Sequence, residues 1–208
     1  MVSSHQKAIS SVNVGDARSG QRPRRRAAMV SATLNVVMEG DGEAVLVREI
    51  ADRAGVAVGT VYNYFGSKHQ LLSAVAAALM RPSLDGLAAE LRSVDDIPRK
   101  LSHVVAELLA GACAYRPLAV ALLRAHASAD ATVCEFDEFE DLRRRIARVF
   151  THCVTCSVPT RREREIGDLL FDVWATNMSA LLNGRTTEEG VSRRVLSAGV
   201  LLGRPAFC

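Results

Sequence analysis

The sequence has 208 residues, of which 49% are hydrophobic and 24% charged, so it can form one large helical domain or a small domain joined to a larger one. No apolar run reaches the roughly 18 residues of a membrane span, and no apolar stretch with a small-residue cleavage site opens the chain, so we expect a cytoplasmic protein without membrane contact. The net charge is +3, but residues 1–30 hold a local balance of +5 and the remainder −2, which concentrates positive charge at the N-terminus.

The first part of the chain is predicted to begin with an arm and to continue with short helices. Residues 1–21 mix Ser, Gly, Gln and Asn without periodicity, which is typical of a disordered arm. Pro23 suits the first turn of a helix, and the stretch Gly40–Gly42 stops that helix. Helices are predicted at about 23–39, 48–54, 58–64 and from 67 to 81 or beyond.

The remainder of the chain is predicted to be helical as well. Prolines punctuate it at positions where helices start or stop. No segment alternates apolar and polar residues for long enough to form a strand, so the predicted fold class is all-α. Helices are predicted at about 83–93, 97–115, 117–128, 131–156, 160–183 and 187–202.

The stretch Val47–Phe65, reading VREIADRAGVAVGTVYNYF, carries the strongest functional pattern. Ala51 is small enough for a second helix to pass close over it, and Gly55 suits a turn that needs a positive φ. Apolar contacts between the two helices are expected from Ile50, Val56 and Val61. Two short helices joined in this way form the helix-turn-helix that reads DNA, the alternative being two helices of an ordinary bundle.

The same stretch resembles the TetR family of transcriptional regulators over about residues 24–75. The matching residues are Arg48-Glu49-Ile50-Ala51, Ala54-Gly55-Val56, Val58-Gly59-Thr60-Val61-Tyr62, Tyr64-Phe65, and Ser67-Lys68 before Leu71-Leu72. The resemblance implies a three-helix DNA-binding domain, a long fourth helix, and a variable helical core whose last two helices dimerise. We therefore expect a basic arm at 1–21, a DNA-binding domain at 22–66 and an effector-binding and dimerisation domain at 67–208.

Within this resemblance, the exposed side of the third helix is expected to contact double-stranded DNA. Thr60 can place its hydroxyl on a phosphate and its methyl on a thymine, while Gly59 lets the backbone approach closely. Asn63 is the candidate for reading a base, or is simply solvated. The full predicted set is Arg24, Arg25, Arg48, Val58, Gly59, Thr60, Tyr62, Asn63, Tyr64 and Lys68.

The other members of this set are expected to bind the DNA backbone. Tyr62 and Tyr64 resemble family positions whose hydroxyls bind phosphates, and Arg48 and Lys68 would clamp phosphates on either side. The cluster Arg22–Arg26 would enter the minor groove or lie along phosphates, or else form a solvated tail.

Two features depart from the family pattern. Leu46 and Val47 stand where a Ser or Thr usually caps the second helix, so that cap is expected to be absent. Gly42 replaces the usual aromatic residue between the first two helices. Both changes suggest a looser first domain without altering the DNA-facing set.

The C-terminal two-thirds is expected to bind a hydrophobic small-molecule effector. Polar groups among apolar stretches and large apolar residues are candidates to line the pocket, although each one taken singly is better explained as a core or surface residue. These candidates are His103, Glu107, Tyr115, Arg124, Phe171, Trp174, Asn177 and Met178, with His126 also noted.

A narrower resemblance links this region to the repressors of sterol catabolism within the TetR family. It rests on Arg116-Pro117-Leu118, Arg124-Ala125, Ala127 to Ala131, Asp172-Val173-Trp174 and Asn177. It implies an effector of the steroid class carried as a coenzyme A thioester.

Apolar stripes on the last two helices predict a homodimer, formed by the eighth and ninth helices of the family's fold. The predicted stripes are Ile166, Leu169, Leu170, Val173 and Leu181 on one helix, and Val191, Val195, Leu196 and Leu202 on the other. Two copies would form a four-helix interface and read a palindrome with half-sites about 34 Å apart.

Other signals are set aside. Cys153 and Cys156 form a CxxC without a second pair, and five cysteines in helical sequence fit reduced thiols, so we expect no metal and no disulfide framework. The acidic run from Glu135 to Asp141 is explained as a solvated face with pairs to Arg144 and Arg145. No catalytic motif occurs, so no enzyme and no cofactor are expected. The alternatives are an all-helical enzyme and a protein-binding scaffold.

Overall fold

The computed structural model describes residues 21–40, 46–91, 96–127, 138–155 and 158–203. Within these ranges the chain forms α-helices and no strand, which confirms the predicted fold class. The predicted arm up to residue 20, the departure at Gly42 and the stretch 128–131 lie outside the described residues. The helices are α1 Gln21–Glu39, α2 Val47–Ala54, α3 Val58–Phe65, α4 Lys68–Glu90, α5 Ile97–Ala114, α6 Arg116–Ala127, α7 Glu138–Val154, α8 Arg161–Leu182 and α9 Glu188–Leu202.

The chain divides into two compact units. The first contains α1, α2, α3, the part of α4 up to Pro82, α6 and the first turn of α7 up to Glu140. The second contains the rest of α4, α5, the rest of α7, α8 and α9. Because α6 and the start of α7 fall in the first unit, that unit includes residues well beyond the stretch that resembles a helix-turn-helix.

The core of the first unit forms where α1 packs against α2 and α6. Met29 and Val37 of α1 are fully buried, as are Leu71 and Leu72 of α4. Thr33 is a buried polar residue of α1, and its hydroxyl donates a hydrogen bond to the carbonyl of Met29 at 2.7 Å. This internal bond satisfies a buried polar group within α1 itself.

Helix α4 is continuous through Pro82, which corrects the prediction of a separate helix at 83–93. A proline inside a helix removes one backbone hydrogen bond and crowds the preceding turn. Here the proline lies on the exposed side, while Leu84 and Leu87 are buried one turn further on, and burying them favours continuation. By length and composition α4 would suffice to cross a membrane, but half of that window is buried inside the protein, as in the core helix of a soluble chain.

The second unit is built around α9, which packs against both α5 and α8. Val191 and Val195 of α9 are fully buried, as is Leu101 of α5. Gly199 allows this close packing, because a Cβ at that position would overlap the side chain of Leu101. Helix α8 begins with a capping box, in which Thr160 accepts a hydrogen bond from the backbone of residue 163.

Candidate DNA-binding site

A left-handed glycine sets the turn between α2 and α3. Gly55 has φ 65° and ψ 37°, as predicted for this position. Its N–H donates to the carbonyl of Asp52 at 3.2 Å, and the N–H of Val56 donates to the carbonyl of Ala51 at 3.0 Å. These bonds close the end of α2 and let the chain reverse within two residues. The residues predicted to join the two helices are largely covered: Ile50, Ala51 and Val61 are buried and Val56 is half-buried.

The start and outer face of α3 are open to solvent. Gly59 and Asn63 are exposed, Tyr62 keeps 44% of its surface accessible, and Thr60 is half-buried. The capping residue Ala57 offers no side-chain acceptor to the first amides of the helix. Those amides and the positive end of the helix dipole therefore favour an anion or a base edge.

Gly59 has no role in the packing of the described part of the chain. A Cβ built on it would meet no atom of another element within 4 Å, and its backbone is that of an ordinary helical residue. Glycine inside a helix costs about 1 kcal/mol relative to alanine. The described part of the structure therefore contains no packing reason for a glycine at this position.

The predicted cations lie at the starts of α1, α2 and α4. Arg48 is exposed at the start of α2, and Lys68 is half-buried at the start of α4. Arg24 and Arg25 are exposed in the first turns of α1. The first unit thus contains every predicted DNA-binding residue, with Val58 and the half-buried Tyr64 completing the set.

Two arginines of the basic cluster have partners that sequence reasoning missed. The guanidinium of Arg22 lies 5.6 Å from the ring centroid of Tyr64, and that of Arg26 lies 5.2 Å from the centroid of Phe65. Arg26 also forms an ion pair with Glu138. Arg22 and Arg26 thus contact other side chains of the protein, while Arg24 and Arg25 are exposed. The sequence alone does not distinguish these two pairs.

An ion-pair network joins the end of α1 to α2. Arg53 contacts Glu39 at 2.6 Å and Glu49 at 2.8 Å. The hydrogen bond from Arg53 lowers the pKa of Glu39, and the same bond raises the pKa of Arg53. The i,i+4 spacing of Glu49 and Arg53 predicts one of these pairs, whereas the other depends on the tertiary fold. The capping residue Leu46 makes no side-chain hydrogen bond, as predicted for the start of α2.

Several predicted effector residues do not face an apolar interior. His103 and Glu107 are exposed on α5, and His103 lies 2.9 Å from the carboxylate of Glu90. In the first unit, Arg124 is exposed and Tyr115 half-buried. Most of the polar candidates therefore lie at the surface. The apolar residues of the same helices point inward, and the polar residues lie on the opposite face.

The apolar candidates on α8 lie together in the second unit. The rings of Phe171 and Trp174 are 6.0 Å apart, and Phe171 and Met178 are buried. The buried amide of Asn177 donates to the carbonyl of Val173 and accepts from Arg194, each at 2.7 Å. The indole Nε1 of Trp174 is buried and has no hydrogen-bond partner among the described residues. An unpaired buried donor is costly unless another molecule supplies an acceptor.

The predicted dimer stripe needs correction. Val191 and Val195 are fully buried within the second unit, and Ile166 and Leu170 are buried too, so these four residues belong to the core of the chain itself. The exposed apolar residues of the last two helices are Leu169, at 49% exposure, and Leu201, at 69%. A shallow concavity on α9 is lined by Leu196, Ser197, Val200 and Leu201.

The first cysteine of the CxxC pattern is expected to be unreactive. Cys153 is fully buried, and burial raises its pKa to about 12. The reactive thiolate is therefore scarce near neutral pH. Cys156 lies outside the described residues, and no cluster of three or more candidate metal ligands occurs among those described.

Two family sequence models match this chain. The model described as bacterial regulatory proteins, tetR family, matches residues 30–75, and the model of the tetracyclin repressor-like C-terminal domain matches residues 97–202. The HTH-type transcriptional repressor KstR of Rhodococcus jostii is 32% identical over 199 residues, covering 94% of this chain and 91% of that protein. The chain belongs to the TetR family.

Solved structures of TetR regulators share the fold. A TetR transcriptional regulator from Rhodococcus sp. RHA1 matches with a TM-score of 0.70 at 24% identity, covering 88% of this chain and 97% of the other. The regulator FadR of Bacillus subtilis, solved in complex with stearoyl-CoA, matches with a TM-score of 0.54 at 17% identity, covering 84% of this chain and 96% of the other.

Family membership confirms the general prediction of function. This TetR-family chain is a transcriptional repressor similar to KstR, a regulator rather than an enzyme. The N-terminal match contains the whole of α2 and α3, and the C-terminal match contains all eight candidate effector residues.

Proposed function

We propose that this repressor binds a palindromic operator as a homodimer and is released by a hydrophobic effector of the steroid or lipid coenzyme A thioester class. The observation that carries the proposal is the open face of α3, where a Cβ on Gly59 would meet no atom of another described element within 4 Å and Thr60, Tyr62 and Asn63 reach solvent. Such a face fits a DNA groove, and the KstR similarity over both domains supports the effector class.

The residues of the first unit would divide into base and backbone contacts. Thr60 and Asn63 would face the bases, and Tyr62 and Tyr64 would place hydroxyls on phosphates. The exposed Arg24, Arg25 and Arg48 and the half-buried Lys68 would neutralise phosphates, so binding would weaken steeply with salt.

The homodimer would use the exposed parts of α8 and α9. Leu169, Leu196, Val200 and Leu201 leave apolar surface open on these helices, and a two-fold copy would cover it. Two recognition helices would then read half-sites about one helical turn, roughly 34 Å, apart.

The effector would bind in the second unit beside α8. Phe171 and Met178 provide apolar contacts, and the buried indole N–H of Trp174 provides a donor for an effector carbonyl. The fold likeness to FadR, solved with stearoyl-CoA, agrees with an acyl thioester as ligand.

Substitutions on α3 test the DNA-binding proposal. Thr60→Ala and Tyr62→Phe each remove one hydroxyl from the exposed face, so we expect each to weaken binding about fivefold, the effect of losing one hydrogen bond of roughly 1 kcal/mol. The measurement is fluorescence anisotropy with a duplex selected on the wild-type chain, together with thermal unfolding. Ser102→Ala, at an exposed position of α5, is the control and should leave binding unchanged. Wild-type affinity in both α3 variants would refute the proposed surface.

Trp174 makes the effector proposal directly measurable, because it is the only tryptophan of the chain. We expect a steroid coenzyme A thioester or stearoyl-CoA to change its fluorescence, to release the duplex and to raise the melting temperature. At one hundred times the dissociation constant the stabilisation would be about 2.7 kcal/mol. Free coenzyme A is the control. If neither thioester changes fluorescence or DNA binding, the effector class is wrong, while the DNA-binding proposal is tested separately.

A further inference from the structure

An acidic residue at the start of α7 has a largely covered side chain within the first unit. Glu138 has a side chain only 12% exposed, and it forms an ion pair with Arg26 of α1. Arg26 in turn lies over the ring of Phe65, the last residue of α3, at 5.2 Å. The carboxylate therefore reaches the C-terminal end of the recognition helix through one intermediate side chain.

Two further contacts hold the same turn of α7 against the start of α4. The backbone N–H of Glu138 donates to the side-chain oxygen of Gln70 at 2.7 Å, and the ring of Phe139 lies 5.2 Å from that of His69. Gln70 and His69 are buried and lie in the first turn of α4, which follows α3 after only two residues. The first turn of α7 thus reaches the end of α3 through Arg26. It also contacts the first turn of α4 directly.

We infer that Glu138 is a positioning residue for operator binding, holding Arg26 over Phe65 and so fixing the recognition helix against α1. A carboxylate this far removed from water is stable only with a charged or hydrogen-bonded partner, and Arg26 supplies it. The stacked guanidinium covers Phe65, so losing the pair would free both the arginine and the end of α3. The inference rests on the proposed function, since it assumes that α3 enters DNA.

The sign of the effect separates positioning from plain electrostatics. A negative charge in a DNA-binding unit repels phosphates, and an unpaired Arg26 would be free to bind one. Charge alone therefore predicts that Glu138→Gln tightens DNA binding. Positioning predicts that Glu138→Gln weakens DNA binding, because a contact that orients the recognition helix is lost. This loss would outweigh the more favourable net charge.

The experiment measures operator affinity against salt concentration for Glu138→Gln, Arg26→Gln and the double variant, using the duplex selected on the wild-type chain. We expect each single change to weaken binding about fivefold, within the range of indirect coupling effects, with the salt slope of the wild type. The double variant should be no weaker than Arg26→Gln alone, because the two residues act as one unit.

Two controls match the charge changes. Asp52→Asn removes an exposed carboxylate from α2 of the same unit and should leave binding equal or slightly tighter. Arg24→Gln removes an exposed cation of the same helix as Arg26 and should lower the salt slope by about one, as for a phosphate contact.

Several results would overturn the inference. Tighter or unchanged binding by Glu138→Gln would do so, and so would a salt slope lowered by Arg26→Gln as much as by Arg24→Gln, which would make Arg26 a phosphate contact. If Glu138→Gln fails to fold, Arg26→Gln replaces it in the test, because the side chain of Arg26 is partly exposed. The salt slope of that variant is then compared with the slope of Arg24→Gln. If the wild-type chain selects no duplex, the proposed function itself has failed.

Discussion

At the scale of single residues, Gly59 is a position where the stability of the chain and the proposed DNA binding can be measured apart. Replacing it by alanine adds a methyl group into open space and removes the entropic cost of a helical glycine. We expect Gly59→Ala to raise the free energy of unfolding by about 0.5–1 kcal/mol. The same methyl group would stand between α3 and the DNA backbone, so operator binding should weaken. Urea unfolding and anisotropy titration measure the two effects.

Gly86 provides the control for this prediction. It is an exposed glycine within α4, and a Cβ built on it also meets nothing within 4 Å. Gly86→Ala should therefore stabilise the chain to a similar degree while leaving DNA affinity unchanged. Operator binding by Gly59→Ala at wild-type strength would mean that the backbone of α3 does not approach DNA closely.

At the scale of helices, the start of α8 links stability to pH. Thr160 donates hydrogen bonds to the carboxylate of Glu163 from both its backbone N–H and its hydroxyl, each at 2.7 Å. These bonds lower the pKa of Glu163 below its ordinary value of 4.5. A lowered folded-state pKa means that the contribution is complete above the unfolded-state pKa and is lost as the pH falls through the folded value.

We therefore expect Thr160→Ala to cost about 1 kcal/mol of unfolding free energy at neutral pH, the usual effect of losing an N-cap. The difference from the wild type should shrink below pH 4.5, as Glu163 becomes protonated. Denaturant unfolding at a series of pH values measures this. Thr187→Ala is the control, because Thr187 caps α9 through the N–H of Gly190, a residue without a carboxylate. A similar shrinkage in both variants would refute the role of Glu163.

Most helices could be predicted from the sequence, but the course of α4 could not. The predicted bounds at 97–115, 160–183 and 187–202 agree with α5, α8 and α9 within one residue, since these segments have strong periodicity and clear stop signals. Pro82 suggested a break because it is disfavoured inside helices. Burial of Leu84 and Leu87 favours continuation instead, and burial is a property of the fold.

At the scale of the whole molecule, the proposed dimer depends on apolar surface that remains exposed on one copy. Leu201 lies at the end of α9 with 69% of its surface accessible. We expect Leu201→Glu to bring a buried charge into the interface and to convert the dimer to a monomer, because an unpaired buried charge costs several kcal/mol. Analytical ultracentrifugation measures the change, and operator affinity should fall with it.

Val158→Glu is the matching control for the dimer prediction. Val158 is an apolar residue with 84% exposure, and it precedes α8 instead of lying on the last two helices. The same substitution there should leave the sedimentation behaviour unchanged. A dimer that survives Leu201→Glu would place the interface on another surface.

The sequence by itself determined the fold class and the DNA-reading motif. Gly55, Ala51 and Val61 are required by the geometry of two short helices joined by a tight turn, so residue types within twenty positions identify the motif. The predicted DNA-facing residues follow from the same local geometry, and they remain predictions of function.

Only the tertiary structure decided which faces and charges are covered. An apolar stripe indicates that a helix face is buried, but Val191 and Val195 are covered by the chain itself and not by a second copy. In the same way, Glu138 was grouped with a solvated acidic face, whereas its partner Arg26 lies 112 positions away in the sequence. Periodicity shows which face of a helix must be buried. Long-range packing decides which residues cover that face.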